Sequence, residues 1–243
     1  MSEPLKKSYV ETLVDLISSL GEHLVLDTET SGLKGEILEL TIIHYQINKP
    51  PEILLDTKLC PKKPIDPESI KVHHITEEDV IGKPTWLDIR PRVQEILRGK
   101  LVLTYNALFD RNAFHITDKV WGLPRFDWKT MRDPLVTTLT SVRWRCIMLA
   151  TADLLTVSPK LKYFRLISAS EILGIPTQDI TLHSSRGDTL LAGRVMTFIL
   201  NFFAGVSSIP LVPVSCSVPL RPTQDDSGQN HQNSILVLQN NHP

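Results

Sequence analysis

Two carboxylates separated by a single residue close an apolar segment early in the chain. Asp27 and Glu29 lie in LVLDTETSGL, residues 24–33. Side chains of a β-strand alternate between its two faces, so a strand here directs both carboxylates to the same side. Adjacent acids at the end of a buried strand repel each other, which makes sense if cations lie between them or if one acid stays protonated. Such a pair is also common at solvated strand ends, so other residues must decide.

A third carboxylate follows a second apolar run. In LVLTYNALFDRNAF, residues 101–114, a strand is predicted to end at Tyr105, and Asn106 is suited to cap the helix that follows. Asp110 then lies about one turn into that helix, on the face that carries Phe114. The alternative interpretation of Asp110 is an acid that stabilises the N-terminal end of the helix dipole.

A fourth carboxylate and a histidine occur late in the chain, in HSSRGDTLLAGRV, residues 183–195. Asp188 precedes the apolar residues Leu191 and Val195 at helical spacing, which predicts that it points towards the buried side. His183 stands five residues before Asp188. Each segment alone could be structural, but their combination in this order favours a common site.

In this order the segments resemble the three motifs of the DEDDh 3′–5′ exonucleases. This RNase H-like family includes the proofreading epsilon subunit of bacterial DNA polymerase III. The matching residues are Asp27, Glu29, Asp110, His183 and Asp188. The segment VHHITEEDVIGKPTW, residues 72–86, also resembles a loop of the family, which often has glycine at the position of His74. The resemblance covers about residues 22–204.

The resemblance implies a metal-dependent enzyme that hydrolyses phosphodiester bonds from the 3′ end of DNA or RNA and releases mononucleotides. The four carboxylates would hold two divalent ions, Mg²⁺ or Mn²⁺, because hard cations take carboxylate and water oxygens. Two such ions can clamp the attacking and leaving oxygens of a phosphodiester. His183 would act as the general base that takes a proton from the attacking water. The residues expected to bind the terminal nucleotide are Thr28, Thr30, Leu33, Asn106 and Phe109.

The order of apolar runs and helical patterns predicts an α/β domain with a mixed sheet. The resemblance implies that this fold is RNase H-like, with a mixed five-stranded sheet flanked by helices. We expect an N-terminal helix within residues 1–21, an exonuclease domain over 22–206 and a disordered tail rich in Pro, Ser, Gln and Asn over 207–243. Strands are predicted over 23–27, 36–47, 52–59 and 101–105, with a fifth strand and a helix in 143–155; further helices are predicted over 8–20, 86–97, 107–121, 164–173 and 188–203. Gly187 is expected to weaken the start of the last helix.

Composition limits the possible functions. Lys and Arg total 26 and Asp and Glu total 27, a net charge of −1, so the protein does not hold nucleic acid by bulk positive charge. Three scattered cysteines indicate a reducing compartment, and no apolar signal core follows the first residues, so we expect a cytoplasmic protein. The uncharged stretch between Arg194 and Arg221 is interrupted by Asn, Gly, Ser and Pro, which argues against a membrane anchor.

Several alternatives remain open on the sequence. The same fold could serve as a catalytically silent module that binds nucleic acid or a partner, or as a scaffold recruited through residues 195–243. His73 and His74 lack further ligands at metal-binding spacing and are interpreted as loop residues. The tail segment QNSILVL, residues 232–238, could dock a replication partner. The substrate is expected to be a single-stranded or frayed 3′ end, with DNA proofreading or repair and RNA degradation both possible.

Overall fold

The computed structural model describes residues 7–124, 128, 143–155, 164–205 and 215–216. Most of residues 122–142, which the sequence left unassigned, and most of the expected tail lie outside the described residues. The elements follow one another as α1 (Tyr9–Leu20), β1 (Glu22–Thr30), β2 (Ile37–Gln46), β3 (Glu52–Lys58), α2 (Pro67–His73), α3 (Glu77–Val80), α4 (Trp86–Leu97), β4 (Leu101–Thr104), α5 (Ala107–Val120), β5 (Arg143–Cys146), α6 (Ile147–Leu154), α7 (Leu166–Ile172), α8 (Ser185–Phe203) and β6 (Ser215–Cys216).

The strands form one mixed sheet in the order β5-β4-β1-β2-β3-β6. β1, β2 and β3 form an antiparallel meander, and β4 and β5 continue the sheet in parallel on the other side of β1. The predicted α/β fold with a mixed five-stranded sheet is confirmed. The two-residue β6 adds a short parallel pairing beside β3 that the sequence did not predict. β1 thus has hydrogen-bonded neighbours on both sides.

Different helices cover the two faces of the sheet. Leu24 and Leu26 of β1 are fully buried in a cluster with side chains of α4 and α5. Val25, between them, is equally buried but belongs to a second cluster with α1, α6 and α8. Because side chains alternate along a strand, the face of Val25 continues through Asp27 and Glu29. These two carboxylates therefore lie on the side that α8 covers.

A buried carboxylate ties α5 to α4. Asp118 is 3% exposed. It accepts hydrogen bonds from the indole of Trp86 at 2.8 Å, from Nε of Arg90 at 2.8 Å and from the indole of Trp128 at 2.7 Å. Three donors share one carboxylate, so the helical layer opposite α8 is held by a polar network as well as by apolar packing.

The N-terminal helix α1 packs on β5 and α6. Ser8 and Glu11 form a capping box at its start. The Tyr9 hydroxyl accepts a hydrogen bond from the backbone N–H of Cys146 at 2.9 Å. The backbone N–H of Val10 donates to the carboxylate of Asp153 at 2.8 Å, a pairing across 143 positions of sequence. These bonds fix α1 to the layer that also contains α8.

The segment before α3 contains a helix that the sequence did not predict. α2 begins with Asp66 as its N-cap and Pro67 in its first turn, a favourable helix start. His74 caps its C-terminal end, and the φ of His74, 59°, is in the left-handed conformation that glycine adopts easily. His74 therefore keeps the turn geometry without the glycine that the family often has.

The expectation that His73 is a loop residue is wrong, because His73 is the last residue of α2 and is 7% exposed. Its Nδ1 accepts a hydrogen bond from the backbone N–H of Ile75 at 3.0 Å. Its Nε2 lies 3.2 Å from the carbonyl oxygen of Thr30, so Nε2 carries the proton in this arrangement. The imidazole thus links α2 to the end of β1.

α8 has 19 residues and begins at Ser185, three positions before the predicted start. Ser184 caps it, accepting a hydrogen bond from the N–H of Gly187 at 3.1 Å. Gly187 does not interrupt this first turn; a Cβ there would lie 1.8 Å from the carbonyl oxygen of Thr181, so close approach of the backbone requires glycine. Among the helices in the described ranges, none is both long enough and apolar enough to cross a membrane.

Candidate active site

Three carboxylates converge where β1 meets α8. One oxygen each of Asp27, Glu29 and Asp188 lies within 4.8 Å of the other two. In the ladder between β1 and β2, Asp27 pairs with Thr41 and Glu29 pairs with Glu39. Asp27 and Glu29 therefore point towards one face of the strand, as predicted.

The first turn of α8 places Asp188. Its backbone N–H donates to the carbonyl oxygen of Ser184 at 2.9 Å, so Asp188 lies one turn into the helix. Leu191 and Val195, on the same helical face, are fully buried. This confirms the prediction that Asp188 points towards the buried side. Asp188 and Asp27 are 161 positions apart in sequence, so only the packing of α8 on the sheet brings them together.

Asp110 approaches the end of β1 from the opposite layer. It lies in the first turn of α5, is 2% exposed and accepts a hydrogen bond at 3.0 Å from the hydroxyl of Thr28. Thr28 points away from the face of Asp27 and so holds the carboxylate that comes from the other side. Asn106 occupies the N-cap position as predicted, but its side chain makes no capping hydrogen bond.

The electrostatics of the four carboxylates reflect crowding of negative charge. Burial, followed by the charge of Asp110, raises the pKa of Asp27 well above its ordinary value. Burial and the neighbouring carboxylates raise the pKa of Glu29 to about 8. Burial raises the pKa of Asp110 to about 6, against the lowering effect of hydroxyl hydrogen bonds. Among the described residues, the charged groups that raise the pKa of Asp27 or Glu29 are other carboxylates, which is the electrostatic environment of a cation site.

His183 lies on the loop directly before α8. It is exposed and has a left-handed φ of 60°. Burial raises the pKa of Asp188, while the charge and the backbone of His183 act in the opposite direction. The imidazole is therefore close enough to influence Asp188 and still open to solvent. These are the two properties that proton exchange with a water molecule at this site requires.

Glu39 is a buried carboxylate that the sequence analysis missed. It is 9% exposed, and its Oε2 accepts a hydrogen bond at 2.8 Å from the backbone N–H of Ser185. Its charge raises the pKa of Asp27, Glu29 and Asp188, so it lies within the electrostatic range of the cluster. The available signal was an acid within the otherwise apolar strand ILELTII, residues 37–43.

The residues expected to bind a nucleotide surround the end of β1 and the start of α5. Thr30 is buried, and its hydroxyl donates to the carbonyl oxygen of Gly32 at 2.9 Å. Leu33 is 90% exposed on the loop after β1. Asn106 and Phe109 are partly buried at the start of α5. The hydroxyl of Thr28 donates to Asp110, so Thr28 would contact a ligand through another of its atoms.

The sequence matches a known family over much of this sheet. Residues 24–131 match the family model RNase_T, described as Exonuclease. This stretch of the chain is therefore similar to the exonuclease family. The match includes Asp27, Glu29 and Asp110, and the structure adds Asp188, one oxygen of which lies within 4.8 Å of oxygens of Asp27 and Glu29. The family resemblance indicated by the motifs is thereby confirmed.

Curated exonuclease relatives match the same part of the chain. An uncharacterized exonuclease of Escherichia phage 186 is 36% identical over 104 residues, covering 42% of this chain and 52% of that protein. The DNA polymerase III epsilon subunit of Treponema pallidum is 29% identical over 104 residues, covering 40% of this chain and 48% of that protein. Exodeoxyribonuclease 10 of Escherichia coli K12 is 34% identical over 92 residues, covering 37% and 39%. The chain thus spans about half or less of the length of these relatives.

Solved exonuclease structures share the fold over a larger part of the chain. Exonuclease X in complex with 5′ overhanging duplex DNA is 22% identical with a TM-score of 0.51, covering 75% of this chain and 92% of that one. The nuclease domain of 3′hExo, a DEDDh family member bound to rAMP, is 15% identical with a TM-score of 0.57, covering 76% and 93%. At these identities the likeness establishes the fold.

The donor set of this site fits divalent cations. Carboxylate oxygens are the ligands that Mg²⁺ and Mn²⁺ prefer, and those of Asp27, Glu29 and Asp188 are already gathered within 4.8 Å. Among the described residues, burial and neighbouring carboxylates raise the pKa of both Asp27 and Glu29. A bound cation would reverse this shift and favour the ionised carboxylates.

Proposed function

We propose that the protein is a metal-dependent 3′–5′ exonuclease that releases mononucleotides from the 3′ end of DNA or RNA. The observation that carries the proposal is the cluster of Asp27, Glu29 and Asp188, with Asp110 adjoining it from the opposite layer. Four buried or partly buried carboxylates close together are costly unless cations offset their charge. The match of residues 24–131 to the exonuclease family model supports the same conclusion.

Asp27, Glu29, Asp110 and Asp188 would hold two divalent ions, Mg²⁺ or Mn²⁺. When bound, such ions make water a better nucleophile and neutralise charge that develops on the phosphodiester. The protein's part is to fix the carboxylates before substrate arrives. β1 has hydrogen-bonded strands on both sides, and Asp110 is held by Thr28, so these ligands lie on rigid elements.

His183 would act as the general base. Its exposure allows the imidazole to receive a proton from the attacking water and to pass it to solvent. Its place on the loop before α8 couples its position to that of Asp188. The charge of Asp188 would stabilise the imidazolium that forms after proton transfer.

The substrate proposed is a single-stranded or frayed 3′ end. The exposed side chain of Leu33 would pack against the terminal base, while the backbone near Thr28 and Thr30 and the side chains of Asn106 and Phe109 would complete the nucleotide site. One structural neighbour is described with duplex DNA and another with a histone mRNA stem-loop, so both nucleic acids remain within the proposal.

We place the activity in DNA proofreading or repair in the cytoplasm, in keeping with the epsilon-subunit relatives. A replication partner that binds the tail segment 232–238 is part of the same proposal; this segment lies outside the described residues. The net charge of −1 is compatible with nucleic-acid binding if metal ions offset the acidic site.

The test is a gel assay with 5′-labelled single-stranded DNA and RNA, in Mg²⁺ or Mn²⁺ and in EDTA. We expect a metal-dependent ladder of shortened products for the wild type. Asp27→Asn should abolish it, whereas Asp15→Asn, which changes an exposed carboxylate on α1, should not. Absence of shortening by folded wild-type protein, or wild-type turnover by Asp27→Asn, would refute the proposal and favour a silent binding module.

A further inference from the structure

We propose that Glu39 is a positioning residue that anchors the first turn of α8 to β2 and thereby sets where Asp188 stands relative to Asp27 and Glu29. This inference rests on the proposed nuclease function and assigns a role to a residue outside its four ligands and general base. It starts from one hydrogen bond, between Oε2 of Glu39 and the backbone N–H of Ser185 at 2.8 Å.

The bond satisfies a group that the helix itself cannot satisfy. Ser185 is the first residue of α8, and the N–H groups of a first turn have no partner within the helix. Ser185 is fully buried, so water does not replace the missing acceptor. A carboxylate at this end also interacts favourably with the helix dipole. Glu39 therefore contributes both an acceptor and a charge at the start of α8.

A second set of contacts joins the same turn to the sheet. The hydroxyls of Ser185 and Thr41 lie 2.7 Å apart, and Thr41 donates to Asp56 of β3 at 3.0 Å. Arg186 donates to the other carboxylate oxygen of Asp56 at 3.2 Å. The first two residues of α8 are thus held by β2 and β3, and Glu39 provides the backbone contact.

Asp188 lies only three positions after Ser185, and the backbone between them has no room to adjust. Gly187 packs so closely on Thr181 that even a methyl group would overlap its carbonyl oxygen. A displacement at Ser185 would therefore move Asp188 with it. Because Glu39 stands opposite Glu29 in the β1–β2 ladder, the anchor and the carboxylates of β1 share one rigid frame.

The side-chain amide of glutamine can replace the Glu39 carboxylate as a hydrogen-bond acceptor but not as a charged metal ligand. A glutamine at position 39 keeps an oxygen that can accept from Ser185 but has no charge with which to bind a cation. Leucine has a similar volume and provides neither. Glu39→Gln and Glu39→Leu therefore separate a role in holding α8 from a role as a ligand. Glu36→Leu is the matched control, since Glu36 is a buried acid that accepts from the backbone N–H groups of Lys62 and Lys63 instead.

The experiment measures kcat and KM on a 5′-labelled oligonucleotide, Mn²⁺ affinity by electron paramagnetic resonance, and Tm, for the wild type and each variant. We expect Glu39→Gln to stay within about threefold of the wild type in kcat and Mn²⁺ affinity. Glu39→Leu should lose about 100-fold in kcat, because misplacement of about 1 Å has that effect, and about tenfold in Mn²⁺ affinity, with KM little changed. Glu36→Leu should lower Tm while Mn²⁺ affinity stays at the wild-type value.

A second pair of variants addresses the same bond from the helix side. Ser185→Pro removes the N–H at a helix position that tolerates proline, and the extended backbone of Ser184 is compatible with a following proline. Ser185→Ala removes only the hydroxyl. Mn²⁺ affinity should fall at least threefold further in Ser185→Pro than in Ser185→Ala.

Two results would overturn the inference. Loss of Mn²⁺ affinity in Glu39→Gln equal to that in Glu39→Leu would show that Glu39 acts through its charge, as a ligand. Wild-type kcat and Mn²⁺ affinity in Glu39→Leu would show that it positions nothing. Failure of the nuclease proposal is recognised separately, because a wild type without activity still allows the Mn²⁺ affinities of the variants to be compared.

Discussion

Replacement of Glu29 by glutamine should stabilise the metal-free protein, and the gain should grow with pH. Burial and neighbouring carboxylates raise the pKa of Glu29 from 4.5 to about 8. When a carboxyl group has a higher pKa in the folded protein than in the unfolded chain, its contribution to stability is complete at pH values below the pKa of the unfolded chain. That contribution is lost as pH rises towards the pKa in the folded protein. Between pH 4.5 and 8 the wild type must therefore take up a proton on folding, whereas Glu29→Gln need not.

The size of the effect follows from this interval. Each pKa unit corresponds to about 1.4 kcal/mol, so at pH 7 the cost at Glu29 is about 3 kcal/mol, and at pH 5 it is under about 1 kcal/mol. For a domain of this size, about 3 kcal/mol corresponds to an increase in Tm of roughly 6–12 °C at pH 7.

The assay is thermal unfolding of the wild type and Glu29→Gln in EDTA at pH 5 and pH 7, repeated with Mg²⁺. Added Mg²⁺ should stabilise the wild type more than the variant, because it binds the native site that the variant lacks. Glu171→Gln, at an exposed position on α7, is the control and should change Tm little at either pH. The reasoning is refuted if the difference in Tm between the variant and the wild type is the same at both pH values, or if the variant has the lower Tm at pH 7.

Three further outcomes are expected. Gly187→Ala should lower the free energy of unfolding by about 2–3 kcal/mol in urea denaturation, because its Cβ would overlap Thr181; unchanged stability would contradict the close packing of this turn. Asp118→Ala should cost about 3–5 kcal/mol by the same measurement, because one carboxylate accepts from three buried or partly buried donors, and a cost below about 1 kcal/mol would argue against this network. His183→Gln should lower kcat about 10²–10⁴-fold in the gel assay with Mn²⁺ affinity nearly unchanged; an equal loss of affinity would assign His183 to the metal instead.

The parts of the fold that could be predicted from the sequence are those with a clear hydrophobic period. β1 and β4 are apolar runs that end at polar residues, and α5 and α8 carry apolar side chains at helical spacing. α2 was missed although Asp66 and Pro67 form a recognised helix start, because the helix has only seven residues and follows several prolines. The start of α8 was placed too late because glycine was judged by helix propensity alone, whereas packing on Thr181 decides this position.

The candidate site could be predicted only for residues that stand at the ends of elements. Asp27 and Asp110 follow apolar runs, so their exceptional positions are visible in the sequence. Glu39 lies inside a strand, and its importance comes from Ser185, 146 positions away, which no local pattern reveals. The bond between Thr28 and Asp110 is hidden for the same reason, since it joins two layers across 82 positions. Contacts between residues so far apart in sequence depend on how the helical layers pack on the sheet, and not on residues that are neighbours in the sequence.

The separation of β1 from α8 along the chain has a consequence for biosynthesis. The 161 positions between Asp27 and Asp188 take roughly 8–30 seconds to translate at the usual rates. The growing chain gains Asp110 about half-way through that time, and it has three of the four carboxylates but no Asp188 until the interval ends. On the proposed function, the nascent chain has no nuclease activity until α8 has been made. The messenger RNA that is being translated is therefore not exposed to an active nuclease during the early stage of synthesis.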